Sequence, residues 1–199
     1  MTSDLFQSDD HATELSAEEK RELIPSLTTR AELNEVERLK IHAARIWAMS
    51  ARSLHRADLV SDRFGRELHA RMFKQVWHWA GQYRKSEKNL GWEVHRLNEG
   101  VRNAFDDAQV WLQHGTYPLE ESAVRLHHRL VAIHPWPNGN GRHARLVADV
   151  VVAAHRGVEL TWGAASERVS PDDLRRSYIA AIHQADRGHM GPLLEFARS

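Results

Sequence analysis

Between His134 and Arg145 the chain reads His-Pro-Trp-Pro-Asn-Gly-Asn-Gly-Arg-His-Ala-Arg, twelve residues that restrict the backbone more than any other stretch. Pro135 and Pro137 forbid a helix there and push the residue before each of them toward extended backbone. Gly139 and Gly141 accept positive φ, and Asn138 and Asn140 tolerate it better than most side chains. From Arg142 onward the text turns helical, with Leu146, Val147, Val150 and Val151 at helical spacing. The segment therefore reads as a tight turn feeding a helix N-terminus, where open backbone N–H groups and the helix dipole favour an anion. Arg142 and Arg145 lie one turn apart on one face and can grip a phosphate chain together. An ordinary interhelical loop would account for the glycines but leaves both arginines unexplained. A phosphate cradle with an imidazole at its lip is a phosphoryl- or nucleotidyl-transfer site.

These residues resemble the signature of the Fic family (Fic/DOC fold), His-Pro-Phe-x-(Asp/Glu)-Gly-Asn-Gly-Arg-x-x-Arg. The match covers His134, Pro135, Gly139, Asn140, Gly141, Arg142 and Arg145. Trp136 replaces the usual Phe, an aromatic exchange that can keep the same packing role. Asn138 replaces the usual acid, which in the family helps hold Mg²⁺ on the phosphates; a neutral amide oxygen still ligates a hard cation, with less charge attraction. Trp79-Ala80-Gly81-Gln82-Tyr83-Arg84 is similar to the family segment that precedes a target-binding flap, and Gly191-Pro192-Leu193-Leu194-Glu195-Phe196 to the usual close of the domain. The phrasing of the whole chain resembles the branch called mobile mystery protein B, bacterial Fic proteins of mobile genetic elements that are paired with a helix-turn-helix protein.

The resemblance implies a protein adenylyltransferase that moves AMP from ATP, with Mg²⁺, to a Ser, Thr or Tyr hydroxyl of a target protein. His134 is then the general base, and an unperturbed pKa near ~6.5 suits that role close to neutral pH. Gly139, Asn140 and Gly141 present N–H groups to the phosphates, Arg142 stabilises charge at the α-phosphorus, and Arg145 contacts the outer phosphate. Asn138 becomes a nucleotide-side residue and the candidate metal ligand. Asp149, four residues after Arg145, is placed to pair with it. The run from Tyr83 to Leu97, with Asn89-Leu90-Gly91 as turn, reads as a short β-hairpin. Its residues Lys85, Ser86, Glu87, Lys88, Asn89, Leu90, Gly91 and Trp92 would clamp the target by strand addition. Without the nearby signature the same run is a surface hairpin with no partner.

Thr28-Thr29-Arg30-Ala31-Glu32-Leu33-Asn34 resembles the family's inhibitory motif, (Ser/Thr)-x-x-x-Glu-Gly-Asn, with Leu33 at the glycine position. Carried over, Thr28, Glu32 and Asn34 form an autoinhibitory element in which Glu32 pairs with Arg145 and mimics a phosphate. The bland alternative is an exposed glutamate at a helix start.

The rest of the text supplies the frame. A chain of 199 residues can bury a sizeable core, and helical periodicity falls over about Thr29–Ser50, Ser61–Trp77, Asn98–His114, Leu119–Ile133, Arg142–His155 and Pro171–Arg187. Ser16 to Glu19 reads as a capping box, and Ser170-Pro171 as an N-cap followed by proline. The fold class expected is mainly α, a Fic-type helical bundle with one hairpin flap. Residues 1–15 read as a flexible tail, 16–50 as an N-terminal helical segment, and 51–199 as the catalytic core.

With 27 basic and 27 acidic residues the balanced charge argues against a nucleic-acid partner, and the lack of cysteine excludes disulfides and thiolate chemistry. No apolar run is long enough to span a membrane, so cytoplasmic location is the default. Nothing in the text decides whether the chain forms a homodimer. Among the fourteen histidines, His127, His128 and His143 show no metal-ligand spacing. Two other functions stay open: a Fic enzyme of different chemistry (removal of AMP, phosphate transfer or another nucleotide), and a non-catalytic nucleotide-binding or interaction module. The retained His134 speaks against the last.

Overall fold

The structure is a computed structural model, and it describes residues 15–164 and 170–199. The polar segment read as a tail lies, apart from Leu15, outside the described residues. The helices are α1 (Ala17–Arg21), α2 (Arg30–Ala48), α3 (Ala51–Leu54), α4 (Asp62–Phe73), α5 (Leu97–His114), α6 (Leu119–Ile133), α7 (Asn140–Ala154), α8 (Pro171–Asp186) and α9 (Gly191–Arg198). Caps written into the sequence set the starts. Ser16 with Glu19 and Thr29 with Glu32 form complete capping boxes, and Ser170 accepts from the Asp173 amide at 3.1 Å. Helix α5 ends in Gly115, whose φ of 62° suits the left-handed cap that glycine takes without strain.

The main packing runs α5 against α6, α6 against α7, α2 against α4, and α8 against α9. Apolar stripes on these faces meet in one core that includes Leu33, Phe64, Leu68, Val101, Leu126, Val147 and Leu193. Trp77 and Trp136 are among the largest fully buried side chains, while Trp92 stays exposed. Among the described residues the sole β-type pairing is an isolated antiparallel bridge between Leu23 and Trp77, joining the α1–α2 linker to the loop after α4.

Helix α4 crosses closely under α5 and α7. A methyl group on Gly65 would lie 2.9 Å from the Phe105 ring, and the Gly65 carbonyl accepts from His143 of α7 at 2.8 Å. Gly65→Ala is expected to lower unfolding free energy by about 1–2 kcal/mol, overpacking less the helix preference of alanine. Urea titration should show most of that loss disappearing when Phe105 is replaced by Leu; an equal loss in both backgrounds would disprove the steric cause.

Candidate active site

The turn between α6 and α7 is closed by its own side chains. Asn140 accepts from the Trp136 amide and donates to the Trp136 carbonyl, both at 2.9 Å, fastening the start of α7 to the aromatic residue. Gly139 has φ 82°, and a Cβ there would lie 2.5 Å from Phe73, so no other residue fits without displacing that ring. Helix α7 has no side-chain cap, and among the described residues the N–H groups of Asn140, Gly141 and Arg142 meet no acceptor. They form the open anion-binding end expected of this turn. The Gly139 amide is the exception. It donates to Asn138 Oδ1 at 2.6 Å and is taken out of the nest.

His134 caps α6 in the left-handed conformation, φ 56° and ψ 57°, a strained region for a non-glycine residue. It is 8% exposed. Burial first, then the positive charges of Arg84 and Lys88, push its imidazole down to about 4, against an opposing contact with the Val131 carbonyl. The near-neutral value expected from the free side chain is therefore wrong for this site. The ring is neutral at physiological pH, as a proton acceptor must be.

Arg84 supplies much of that environment. Its side chain is fully buried; it donates from Nε to the His134 carbonyl at 2.8 Å and from Nη1 to the Ser86 carbonyl at 2.9 Å, and it also reaches the Trp92 carbonyl. The amides of Arg84 and Trp92 donate to the carbonyls of Pro135 and Ile133. The hairpin expected over Tyr83–Leu97 is not formed. Its two limbs spend these amides on the His134 segment and their carbonyls on Arg84 rather than on each other, and the run ends in a 3-10 turn at Val94–Arg96. Gly91, φ 93°, lies directly on His134, since a Cβ there would be 2.6 Å from His134 Cβ. The outer limb is tied to α1, where buried Glu19 accepts from Ser86 at 2.8 Å and pairs with Lys88 at 2.5 Å. Glu87 accepts from the Val94 amide, while Lys85, Asn89, Leu90 and Trp92 face solvent.

Two buried imidazoles hold the turn from below. The Gly81 amide donates to His69 Nδ1 at 2.9 Å, so the proton sits on Nε2, which donates to the Asn138 carbonyl at 3.2 Å. Trp136 Nε1 donates to His143 Nδ1, leaving His143 Nε2 to donate to Gly65. The Trp136 ring stacks on His69 at 4.1 Å, which is the packing role expected of the aromatic at that position. Burial pushes His143 down to about 4 and His69 well below its ordinary value. Nothing in the spacing of His69 marked it; a helix-borne histidine four residues before an aromatic is indistinguishable from core.

The signature arginines differ in their partners. Arg142 donates to Glu37 at 2.6 Å and lies over the Phe73 ring at 5.2 Å. Glu37 is 1% exposed, and its other oxygen accepts from Trp77 Nε1 at 2.9 Å. Arg145 lies over the Tyr178 ring at 5.1 Å and makes no ion pair among the described residues. The expected Arg145–Asp149 pair is replaced, because Asp149 takes Arg45 at 2.5 Å and Trp162 Nε1 at 2.7 Å. The expected Glu32–Arg145 pair is also absent. Glu32 is exposed and accepts from the amides of Thr28 and Thr29 and the Thr28 hydroxyl, which is the helix-start role; Asn34 is exposed as well. The carboxylate that α2 brings to the site is Glu37, five residues on, and the motif spacing pointed one and a half turns away from it.

Mg²⁺, which the signature resemblance implies, finds little protein ligation. Among the described residues no three His, Asp or Glu groups converge. The oxygen of Asn138 already accepts from Gly139. A cation cage made by the protein does not fit.

A sequence model of the Fic/DOC family matches residues 60–152, a span that holds Trp79–Arg84 and the whole His134–Arg145 turn. Residues 60–152 are thus similar to a Fic/DOC family domain. Over 124 residues it is 30% identical to the protein adenylyltransferase Fic of Nematostella vectensis, covering 59% of this chain and 26% of that protein. Over 121 residues it is 26% identical to the protein adenylyltransferase fic-1 of Caenorhabditis elegans, covering 59% of this chain and 22% of that one. The match thus spans about a quarter of these relatives' length. Its fold is shared with a Fic-domain signaling protein of Bacteroides thetaiotaomicron (TM-score 0.62, 18% identity, covering 86% of this chain and 69% of that one). It is shared too with the N-terminal Fic domain of a Bartonella quintana effector holding ADP (TM-score 0.66, 13% identity, covering 88% and 87%). The BepC protein of Bartonella tribocorum, solved with AMPPNP, aligns at TM-score 0.64 and 13% identity over 92% of this chain and 97% of that one. No described helix is long and apolar enough to cross a membrane.

The buried imidazoles give a signed pH dependence. Unfolded histidines take protons near ~6.5, whereas His134 and His143 do so only at about 4. Stability is therefore full above about 6.5 and lost as pH falls toward 4, at up to ~1.4 kcal/mol per pH unit for each such histidine. Thermal melts at pH 7, 6, 5 and 4.5 should show the decline, and NMR should show the His134 ring neutral at pH 5.5; a flat series or a ring titrating near 6.5 would refute the burial argument. Gly91→Ala should lift the loop from His134, seen as faster hydrogen exchange at the Trp92 amide, with unchanged exchange arguing against that close approach.

Proposed function

We propose that the Fic domain acts as a protein adenylyltransferase. The observation that carries this reading is one turn uniting a neutral, buried His134, three acceptor-free N–H groups at the start of α7, and the two arginines Arg142 and Arg145. ATP phosphates lie on the Asn140, Gly141 and Arg142 amides, with Arg145 on the outer phosphate and Arg142 meeting charge that develops at the α-phosphorus. A neutral ring nitrogen of His134 takes the proton from a Ser, Thr or Tyr hydroxyl of the target. The hydroxyl oxygen then bonds to the α-phosphorus as the bond to pyrophosphate breaks. A Mg²⁺ brought in with the nucleotide would be held by its phosphates and would neutralise their charge, since the one nearby amide oxygen, Asn138 Oδ1, is engaged by the Gly139 amide. The loop Lys85–Trp92 receives the target by edge pairing, with its exposed limb around Asn89 and Leu90 as the contact.

Restraint by an N-terminal glutamate belongs to the proposal with Glu37 in place of Glu32. Its support is the Glu37–Arg142 pair, which engages a phosphate-binding guanidinium with a carboxylate before any nucleotide does. A helix-turn-helix partner and origin on a mobile element rest on the phrasing of the whole chain.

Incubation of the protein with bacterial lysate and ATP labelled at the α- or the γ-phosphate tests the reading. Label from the α-position should reach protein, label from the γ-position should not, and His134→Ala should cut transfer by at least ~100-fold while ATP binding persists. Glu37→Gln, which keeps an acceptor for Trp77, should raise transfer; a fall would make Glu37 a group that orients Arg142. Transfer of the γ-label would move the domain to phosphate transfer, and binding without any transfer would leave a nucleotide-binding module.

A further inference from the structure

His127 lies on α6, seven residues before the His134 cap that ends the helix. It is completely buried, tilted against Trp162 at 4.6 Å, with Nε2 at 2.9 Å from the Tyr178 hydroxyl of α8. Its Nδ1 has no partner among the described residues. Buried N–H groups without an acceptor are rarer than buried lone pairs without a donor, so the proton belongs on Nε2 and points at the Tyr178 oxygen. The tyrosine oxygen then accepts from His127, and its own proton is left to donate elsewhere. What it faces is the anion-binding end of α7. A methyl on Gly141 would lie 3.5 Å from the Tyr178 oxygen, and the Arg145 guanidinium covers the same ring at 5.1 Å.

We propose that Tyr178 is a further nucleotide-binding residue, donating its hydroxyl proton to a phosphate oxygen held at Gly141 and Arg145, with His127 as the positioning residue that turns it outward. The inference rests on the nucleotide reading of the same site. It also gives α8 a part in the reaction that no signature residue supplies. Stacking keeps Arg145 over the ring, so one aromatic side chain sets the place of a charged donor and provides a neutral one beside it.

Two measurements on the full chain test it. Nitrogen-15 NMR of the histidine rings should find His127 protonated at Nε2; protonation at Nδ1 would make Tyr178 the donor to the ring, spend its proton, and overturn the proposal. Calorimetric titration with ATP should show Tyr178→Phe, which keeps the ring beneath Arg145, weakening binding about tenfold or more with an unchanged melting midpoint. Affinity within twofold of the unaltered protein would overturn the role of Tyr178 and leave the nucleotide reading standing. If the unaltered protein and His134→Ala both bind no ATP, that reading fails and Tyr178 falls with it. His127→Gln, which retains an N–H at the place of Nε2, should keep affinity within about threefold, on the order of 0.6 kcal/mol; a loss as large as that of Tyr178→Phe would contradict the positioning role.

Discussion

A guanidinium without solvent must find acceptors inside the protein, and Arg84 finds them in the carbonyls of His134, Ser86 and Trp92. That requirement organises the site. The buried cation pulls the loop after Tyr83 onto the end of α6, fixes the strained backbone of His134, and adds positive potential that keeps its ring neutral. A lysine would satisfy fewer of these directions at once, because the planar fork of arginine reaches three carbonyls at separate points. The His134 backbone thus depends on a residue fifty positions earlier, and the Trp-Ala-Gly-Gln-Tyr-Arg phrase is understood as the root of that clamp.

The buried imidazoles extend the same logic. His69 bridges the Gly81 amide to the Asn138 carbonyl, and His143 bridges Trp136 to Gly65. Each ring uses one nitrogen as acceptor and the other as donor, which only the neutral form can do. The turn that presents the open amides of α7 is thereby hung on two tautomers. Glu37 does the corresponding work above it, joining Trp77 of the core to Arg142 of the site.

Much of this was legible in the sequence where local rules act alone. Leu119–Ile133 is the helix its pattern indicates, and the capping residues Ser16, Thr29 and Ser170 stand where they do because side-chain oxygens beside helix starts have few other uses. The turn from His134 to Arg145 was readable because proline and glycine constrain φ directly. What escaped depends on partners distant in sequence. An alternating run with a glycine turn looks like a hairpin until Arg84 claims its carbonyls. Glu32 fits an inhibitory spacing, yet its carboxylate is consumed by Thr28 and Thr29, while Glu37 has no motif and wins Arg142 through the packing of α2 on α4. Asp149 likewise goes to Arg45 rather than to its helical neighbour Arg145.

The contact of Gly91 with the β-carbon of His134 has a consequence for how such a site can diversify. Wherever the loop's tip is remodelled to suit a new polypeptide, its atoms enter the volume that the imidazole already occupies. On the function proposed above, recognition and proton abstraction are mechanically one part, and selection cannot retune the first without testing the second. The outer limb, spread over Asn89 and Leu90 and facing solvent, is free of that coupling and is where variation between relatives is permitted to accumulate.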